Sequence, residues 1–162
     1  MPHPEEADLK ALLEALLRAG VDFIVVGGAA AVLHGAPTTT QDLDIVHDLR
    51  ADNVERLARL LTDLDAVVRE PGDRRLRPEP RHLAAGGQLN LSTALGPLDP
   101  LGRLHDGRGF DALLPHTEIM RDGELEIRVL DLPTLIAIKS KTGRAKDALI
   151  VPILLALLEE RG

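Results

Sequence analysis

Cysteine, tryptophan and tyrosine are absent from this sequence of 162 residues, and its only aromatic residues are two phenylalanines. Without cysteine the chain can form neither disulfide bonds nor thiolate metal sites, and a cytoplasmic location is expected. The scarcity of aromatic side chains argues against a surface that stacks the bases of single-stranded nucleic acid. The core is therefore expected to consist of leucine, valine, isoleucine and alanine.

Long apolar runs and an excess of positive charge are also missing. No apolar run is long enough to span a membrane and the N-terminus shows no signal-peptide pattern, so no membrane partner is expected. The 26 acidic residues outnumber the 19 lysines and arginines, which gives a net charge of −7. Non-specific binding of nucleic acid by the whole surface is therefore not expected. Length and composition favour one globular domain over residues 1–162.

The stretch 23–46 contains the most informative pattern in the sequence. An apolar, β-branched run over 23–26 predicts a buried strand, and Gly27 and Gly28 follow it directly. A small-residue segment over 29–33 then predicts a short helix. Because glycine has no side chain, such a turn lets the backbone approach a phosphate closely, and the helix N-terminus offers free N–H donors.

Two carboxylates alternate with apolar residues at the end of this stretch, in Asp42-Leu43-Asp44-Ile45. On a strand, residues i and i+2 point to the same face, so Asp42 and Asp44 are predicted to lie side by side. Neighbouring carboxylates resist being ionised together, and a divalent cation relieves that repulsion. Mg²⁺ prefers carboxylate and phosphate oxygens, and two such ions about 3.5–4 Å apart can clamp the reacting oxygens of a phosphoryl transfer.

The order and spacing of these residues resemble the signature of the nucleotidyltransferase superfamily, which has the polymerase-β-like fold. Gly27-Gly28 is followed, after thirteen residues, by Asp42-Leu43-Asp44-Ile45. The small-residue helix, the His-Gly-Ala-Pro and the Thr-Gln-Asp-Leu-Asp resemble more narrowly the small bacterial nucleotidyltransferases that include abortive-infection and toxin–antitoxin proteins. The alternative is an ordinary α/β turn that happens to be decorated with acidic residues.

The resemblance implies an α/β domain of the α+β kind, with a small mixed β-sheet flanked by helices. It implies two Mg²⁺ ions, or Mn²⁺ in their place, and transfer of a nucleoside monophosphate from an NTP to a hydroxyl acceptor on RNA, a protein or a small molecule. Gly27, Gly28 and Thr40 are expected to bind the phosphates, and Thr40 can also hold the metal-bearing strand by local hydrogen bonds. A cognate antitoxin protein is a further implied partner.

A third carboxylate on a neighbouring strand is used by nucleotidyltransferases of this kind, and two positions compete for it. Asp99 lies in Gly-Pro-Leu-Asp-Pro-Leu, which resembles the hydrophobic-Asp-x-Leu pattern of the family. Asn90 lies in Leu-Asn-Leu, where an amide would replace the carboxylate and remove a charge from the metal site. Asp99 is preferred as the third catalytic and metal-binding residue, beside Asp42 and Asp44. Pro100, next to it, suits an edge strand.

Three basic features have two interpretations each. Lys139 lies in a Leu-Ile-x-x-Lys stretch that resembles the same family. We expect Lys139 to contact a phosphate, but it could instead pair with Asp147. The arginines of segment 69–81 could bind the triphosphate or the acceptor, or could simply be solvated. His34 could contact a phosphate or a metal-bound oxygen, or it could hydrogen-bond the loop 38–41.

The remaining pattern predicts the other elements of the domain. Helices are predicted over 5–19, 51–64 and 131–141, with a final helix ending near residue 159, and strands over 65–68, 89–92, 98–99 and 124–130. Asp52 or Asn53 is expected to cap the second helix and Asp131 the third. His47, on the opposite face of its strand from the two aspartates, is interpreted as structural.

A second interpretation of the whole chain comes from a different functional class. The chain could be a catalytically weak module of the same fold that binds a nucleotide or a partner protein. Threonine stands at position 38, where many relatives have arginine, and no separate acceptor-binding domain is visible in the sequence. The doubt over the third carboxylate also favours this alternative.

Overall fold

The computed structural model describes residues 2–69 and 76–161, which fold around one mixed sheet of seven strands. The strands are β1 (Phe23–Val26), β2 (Leu43–His47), β3 (Val67–Val68), β4 (Leu91–Thr93), β5 (Gly96–Leu101), β6 (Thr117–Asp122) and β7 (Leu125–Leu130). They are arranged in the order β3-β4-β5-β2-β1-β7-β6. The pairs β1–β7 and β2–β5 are parallel and the others antiparallel, so the predicted mixed sheet is confirmed.

Helices accompany the sheet, as the resemblance implied. They are α1 (Leu9–Arg18), α2 (Gly27–Leu33), α3 (Ala51–Asp63), α4 (Pro80–Ala84), α5 (Phe110–Leu113), α6 (Leu132–Lys141) and α7 (Ala145–Glu160). Helix α2 packs on β1 and β2 and contacts α6, which in turn packs on α7, while α1 contacts α3 and β7. Among the described residues, no helix combines the length and the apolar character that crossing a membrane requires.

The core is aliphatic and is centred on the two middle strands. Ile24, Val25, Ile45 and Val46 are completely inaccessible to solvent, because β1 and β2 have neighbours on both sides. Phe23 at the start of β1 is also buried. Branched side chains suit such strands because they pack well on a pleated surface, which explains why the apolar run before the glycines forms β1.

One predicted helix cap is correct and another is wrong. The carboxylate of Asp131 accepts a hydrogen bond from the backbone N–H of Thr134 at 2.9 Å, so α6 begins as expected. The N-cap of α3 is Arg50, and its side chain makes no capping hydrogen bond. Asn53 is buried instead, where its Oδ1 accepts from the N–H of Asp22 at 2.7 Å. It therefore joins α3 to the loop before β1.

Strand β6 and helix α4 were not predicted from the sequence. Strand β6 pairs with β7 over six positions, from Thr117 opposite Leu130 to Asp122 opposite Leu125. It is an edge strand whose largely polar sequence shows little apolar alternation, so its pairing with β7 defines it. Helix α4 is one short helical segment that starts at Pro80, which suits the first position of a helix.

The expectation that Pro100 indicates an edge strand is wrong. Strand β5 lies in the interior of the sheet, between β4 and β2, and Pro100 is in register with Ile45. The pairing between β4 and β5 extends only to Leu91 opposite Leu98. Pro100 lies beyond that pair, so β4 does not require an N–H from it, and the missing donor is tolerated.

Candidate functional site

Strand register brings two of the predicted carboxylates next to each other. Asp44 on β2 is in register with Asp99 on the parallel strand β5 and with Val26, the last residue of β1. Aligned residues of neighbouring strands point to the same face of the sheet. Asp42 lies one residue before β2, so it shares the face of Asp44 without belonging to the strand as the structure defines it.

The three carboxylates form one compact acidic cluster, which consists of Asp42, Asp44 and Asp99. Each residue offers one oxygen, and these oxygens all lie within 4.8 Å of one another. Asp99 is only 3% exposed, whereas Asp42 and Asp44 are half-buried. A group of oxygens that is partly open to solvent and of this size is suited to hold a hard divalent cation.

The glycine turn packs directly against this acidic cluster. Helix α2 begins at Gly27, whose φ of +62° is a left-handed conformation that favours glycine. A Cβ atom on Gly27 would lie 2.4 Å from Oδ2 of Asp44, and one on Gly28 would lie 2.9 Å from Oγ1 of Thr40. Both glycines are therefore required where a side chain of the site approaches the backbone.

Thr40 links the turn to the first aspartate. Its hydroxyl donates a hydrogen bond to the backbone carbonyl of Asp42 at 3.0 Å and lies 3.5 Å from the Oδ1 atom of the same residue. The predicted local hydrogen bond before β2 is thus present. Because the same hydroxyl faces Gly28, Thr40 lies between the two halves of the sequence motif.

Burial and mutual repulsion make the acidic cluster reluctant to ionise. Burial raises the pKa of Asp44 to about 7, the charges of Asp42 and Asp99 add to this effect, and Lys146 opposes it. Burial also raises the pKa of Asp99 to about 6, although a hydrogen bond from Arg69 acts in the opposite direction. The cluster therefore holds protons close to neutral pH unless a cation stabilises the charged form.

Among the described residues of the arginine segment, Arg69 reaches into the acidic cluster. Its Nη2 donates to Oδ2 of Asp99 at 3.1 Å and lies 3.7 Å from Oδ2 of Asp42, and its Nη1 also donates to the carbonyl of Leu91. The Nη1 atom is 2.8 Å from Oδ1 of Asp99. That contact lacks hydrogen-bond geometry, so the buried Oδ1 has no hydrogen-bond partner in the described structure.

The other members of the arginine segment have different positions. Arg74 and Arg75 lie outside the described residues. Arg77 pairs with Asp65 at 2.7 Å and Arg81 with Glu79 at 2.6 Å, in both cases on exposed surface. These two match the interpretation of a solvated charged segment, whereas Arg69 does not.

Asn90 is not part of the acidic cluster. It is exposed just before β4, and its Oδ1 accepts a hydrogen bond from the side-chain amide of Gln88 at 3.0 Å. Of the two positions that competed for the third carboxylate, the structure brings Asp99 and not Asn90 to the side of Asp44.

Lys139 is buried and forms an ion pair, as the structural alternative predicted. Its Nζ donates to Oδ1 of Asp147 at 3.1 Å, and both residues are almost inaccessible to solvent. The other carboxylate oxygen of Asp147 accepts from the hydroxyl of Thr142 at 2.6 Å and lies 3.0 Å from Nε of Arg144. Asp147 thus binds the end of α6 to the start of α7.

In the described part of the chain, two cavities adjoin the glycine turn. The first cavity, of about 150 Å³, is lined by residues that include Gly27, Asp44, His105, Lys139 and Arg144. The second cavity, of about 320 Å³, is lined by residues that include Gly28, Thr40, Lys139, Lys146, Leu149 and Ile153. Lys139 borders both, so its side chain adjoins the site even though its charge is paired with Asp147.

Neither buried histidine faces the acidic cluster. Nε2 of His34 lies 2.7 Å from the carbonyl oxygen of Leu130, so the hydrogen bond expected from His34 to the loop 38–41 is not the one formed. Nε2 of His47 lies 2.9 Å from the carbonyl oxygen of Leu83. Burial lowers the pKa of His47, in agreement with its structural interpretation.

Sequence reasoning missed two residues near the site. Lys146 is close enough to Asp44 to lower its pKa, and Asp147 holds Lys139 in place, yet neither residue was predicted to belong to the site. A signal for Lys146 was available, because a lysine in the first turn of a helix opposes the helix dipole and needs another reason to be there. Nothing local in the sequence indicates that Asp147 is buried.

No protein-family model matches the chain, and no curated protein sequence is significantly similar to it. Solved structures do resemble it. The lincosamide antibiotic adenylyltransferase LnuA, in a structure with lincomycin bound, matches with a TM-score of 0.62 at 14% identity, over 95% of this chain and 99% of its own. The match to a protein from Thermotoga maritima that is named as a nucleotidyltransferase has a TM-score of 0.56 at 21% identity, over 91% and 90%.

A third solved structure also resembles the fold of this chain. The antibiotic-resistance factor ANT(2'')-Ia matches with a TM-score of 0.55 at 14% identity, over 93% of this chain and 82% of its own. At these identities the similarity describes the fold. The three matches cover nearly the whole of this chain, so the similarity extends over the whole fold.

Proposed function

Because the chain has the nucleotidyltransferase fold, we propose that it transfers a nucleoside monophosphate from an NTP to a hydroxyl acceptor in a Mg²⁺-dependent reaction. The observation that carries this proposal is the acidic cluster beside the glycine turn. Three carboxylate oxygens within 4.8 Å of one another lie against a turn that has no room for side chains. Charge neutralisation and positioning are what phosphoryl transfer requires of a protein.

The acidic cluster fits divalent metal ions. Asp42, Asp44 and Asp99 supply hard oxygen ligands, the pKa values of Asp44 and Asp99 are raised to about 7 and about 6, and Oδ1 of Asp99 is buried without a hydrogen-bond partner. These three residues would hold the Mg²⁺ ions, or Mn²⁺ in their place. When bound, the ions would neutralise charge that develops on the phosphate oxygens and orient the reacting groups.

The remaining residues of the motif have roles that follow from their contacts. Gly27 and Gly28 let Asp44 and Thr40 pack against the start of α2, whose backbone N–H groups would bind the phosphates of the nucleotide. The hydroxyl of Thr40 already donates to the carbonyl of Asp42, so it can donate to a phosphate oxygen only by exchanging that bond. Asp99 can complete a metal site or accept the proton of the acceptor hydroxyl. Lys139 borders both cavities and can reach a phosphate only by changing its pairing with Asp147.

A small molecule is the acceptor class that we favour. LnuA and ANT(2'')-Ia are both named for antibiotics, and lincomycin is bound in the LnuA structure. The second cavity, at about 320 Å³, has a volume in the range of small-ligand pockets. The whole chain has two aromatic residues and a net charge of −7, so its composition offers little for stacking or attracting an RNA strand.

The proposal is tested by incubating the purified protein with Mg²⁺ and each of four α-labelled NTPs. Separate arms contain lincomycin, other hydroxyl-bearing antibiotics, total tRNA, the protein itself and a cell extract. Label on one acceptor from one NTP identifies the reaction, the nucleotide and the acceptor class together. Label on tRNA or on protein would contradict the small-molecule acceptor but would still support nucleotidyl transfer.

The binding-module alternative is examined in the same preparation by calorimetry. Tight, Mg²⁺-dependent NTP binding without transfer to any acceptor would favour a module that binds a nucleotide. The position of Asp99 beside Asp44 removes one reason for that alternative, because the third carboxylate does not have to be replaced by Asn90. A cognate antitoxin protein stays a prediction of the sequence resemblance, which co-purification from the native host would test.

A further inference from the structure

Helix α7 is apolar on all sides but is poorly covered by the rest of the chain. Of its 16 residues, only Asp147 and Leu154 are buried. Four large apolar side chains are exposed among the described residues, and two of them, Leu149 at 76% and Leu155 at 45%, lie on this helix. A helix that is hydrophobic all round is normally buried, so another surface is expected to cover α7.

Five of the exposed residues of α7 form one continuous stripe. Ala145, Leu149, Pro152, Ala156 and Glu159 are all exposed and are separated alternately by four and three residues. This spacing places them on one face of a helix and is the spacing of helix–helix seams. The small alanines allow a second helix to approach closely, and Leu155 borders the stripe.

Charges at the two ends of α7 indicate what covers it. Lys146 is exposed in the first turn, and Glu159 and Glu160 are exposed in the last turn. The buried Asp147 in the first turn is placed as the helix dipole favours, but the arrangement of the exposed charges is the reverse of it. It is complementary to a second copy of the same helix that runs in the opposite direction, because each basic end then meets an acidic end.

We propose that two copies of this chain associate through antiparallel α7 helices. A twofold axis near Pro152 aligns Leu149 of one copy with Ala156 of the other, and brings Lys146 next to Glu160 of the second copy. Such an interface is isologous, since the same stripe is used twice. Its apolar centre and charged rim have the general composition of protein–protein contacts.

The proposed interface lies beside the second cavity. Leu149 and Ile153 form part of the wall of that cavity, so a second copy on α7 would extend the wall with its own helix. This inference does not depend on the proposed transfer reaction, because it rests only on the exposure and the charges of α7. Loss of transfer activity would leave it intact, and a monomer would leave the transferase proposal intact.

The oligomeric state of the full chain tests the proposal. Sedimentation equilibrium is expected to show a dimer. Leu149→Glu is expected to raise its dissociation constant at least about thirtyfold, the effect of removing an interface hot spot. Ile119→Glu is the matched control, because Ile119 is 48% exposed on the edge strand β6. It is expected to leave the dimer unchanged, and circular dichroism checks that both variants fold.

A charge exchange makes the test specific for antiparallel pairing. Glu160→Lys alone and Lys146→Glu alone should each weaken the dimer about tenfold, since each places like charges opposite each other. The double variant should recover to within about threefold of the original chain, because the pair is restored with reversed signs. A monomeric chain, a dimer insensitive to Leu149→Glu, or single-variant effects that simply add would overturn the proposal.

Discussion

The guanidinium group of Arg69 lies against both carboxylate oxygens of Asp99, with Nη1 2.8 Å from Oδ1 and Nη2 3.1 Å from Oδ2. Arg69 therefore provides positive charge at the acidic cluster, where the proposed function requires a metal ion. Asp99 is the more deeply buried partner, and the arginine keeps its pKa lower than burial alone would. This pairing connects the end of β3 to the centre of the site.

Replacing Arg69 with methionine is expected to raise the pKa of Asp99 above its value of about 6, because the opposing positive charge is lost while burial remains. The carboxyl-carbon chemical shift, followed by NMR across a pH titration, measures this directly. Arg81→Met is the control, since Arg81 pairs with Glu79 away from the cluster. An unchanged Asp99 titration in Arg69→Met would contradict the pairing.

Changing Asp42 and Asp44 together to asparagine is expected to reduce Mg²⁺-dependent transfer at least about a thousandfold, because two of the three anionic ligands disappear. Calorimetry should show the corresponding loss of Mg²⁺ binding in the absence of nucleotide. Asp63→Asn, on the exposed end of α3, is the matched control with the same chemical change. Transfer that survives in the double variant would refute the assignment of these residues.

Mg²⁺ binding is expected to strengthen as the pH rises through about 6 to 7. The pKa values of Asp44 and Asp99 are raised from 3.8 to about 7 and about 6, so in the metal-free protein their ionisation opposes folding as the pH rises from about 4 to about 7. Metal binding requires the ionised carboxylates, so the affinity for Mg²⁺ increases as the pH rises over the same range.

The measurement is the rise in melting temperature that Mg²⁺ causes, which should be larger at about pH 8 than at about pH 5, where protons compete for the carboxylates. The variant with Asp44→Asn and Asp99→Asn should show little rise at either pH. An equal rise at both values in the unchanged chain would show that these two groups do not titrate with metal binding.

Gly27→Ala is expected to destabilise the fold by more than the strain of its backbone conformation. Gly27 and Gly123 have the same φ of +62°, but a Cβ on Gly27 would lie 2.4 Å from Oδ2 of Asp44, whereas one on Gly123 would meet nothing within 4 Å. Gly123→Ala should cost about 1–2 kcal/mol of unfolding free energy from backbone strain alone. Gly27→Ala should exceed it, as urea unfolding of both variants would show. Equal losses would mean that Asp44 moves away freely.

Asp147→Asn is expected to cost about 3–5 kcal/mol of unfolding free energy, because the ammonium group of Lys139 would remain buried without its charged partner. Arg144→Gln removes the exposed partner of the same carboxylate and should cost no more than about 1 kcal/mol. Urea denaturation compares the two. A similar small loss in both would indicate that Lys139 reaches solvent or another anion.

The carboxylate of Asp147 is also expected to make the stability of the fold sensitive to acid. Burial alone would raise its pKa, but hydrogen bonds from Thr142 and Lys139 outweigh that effect and the pKa lies below the usual value. A lowered pKa contributes stability above the unfolded value, and this stability is lost as the pH falls through the folded value. The difference in unfolding free energy between the unchanged chain and Asp147→Asn should therefore shrink below about pH 4.

Local pattern was sufficient wherever neighbours along the chain determine the structure. The run from Phe23 to Val26 forms β1 with the predicted bounds, and Asp131 caps α6 as expected. The interval between the glycines and the Asp-Leu-Asp motif predicted that the two lie together, and in the structure Gly27 packs against Asp44. Strands β1 and β2, joined through helix α2, bring Gly27 and Asp44 together, and the length of that connection can be read from the sequence.

Distant pairing was not accessible in this way. The sequence left Asp99 and Asn90 as rivals, because both follow apolar residues in strand-like segments, and only the parallel register of β5 on β2 distinguishes them. Strand β6 was missed for the same reason, since its pairing with β7 and not its own composition makes it a strand. Contacts across the sheet depend on the whole topology, which no short window contains.

The sequence by itself determined the aliphatic core, the mixed helix-and-strand composition, and the two aspartates and two glycines of the motif, because composition and short-range spacing control these features. The tertiary structure decided that Asp99 joins the cluster, that Arg69 pairs with it, and that Lys139 is held by Asp147. Each of these contacts joins side chains from separate elements at a buried or partly buried position. Burial and charge there are set by packing, and packing is a property of the folded chain.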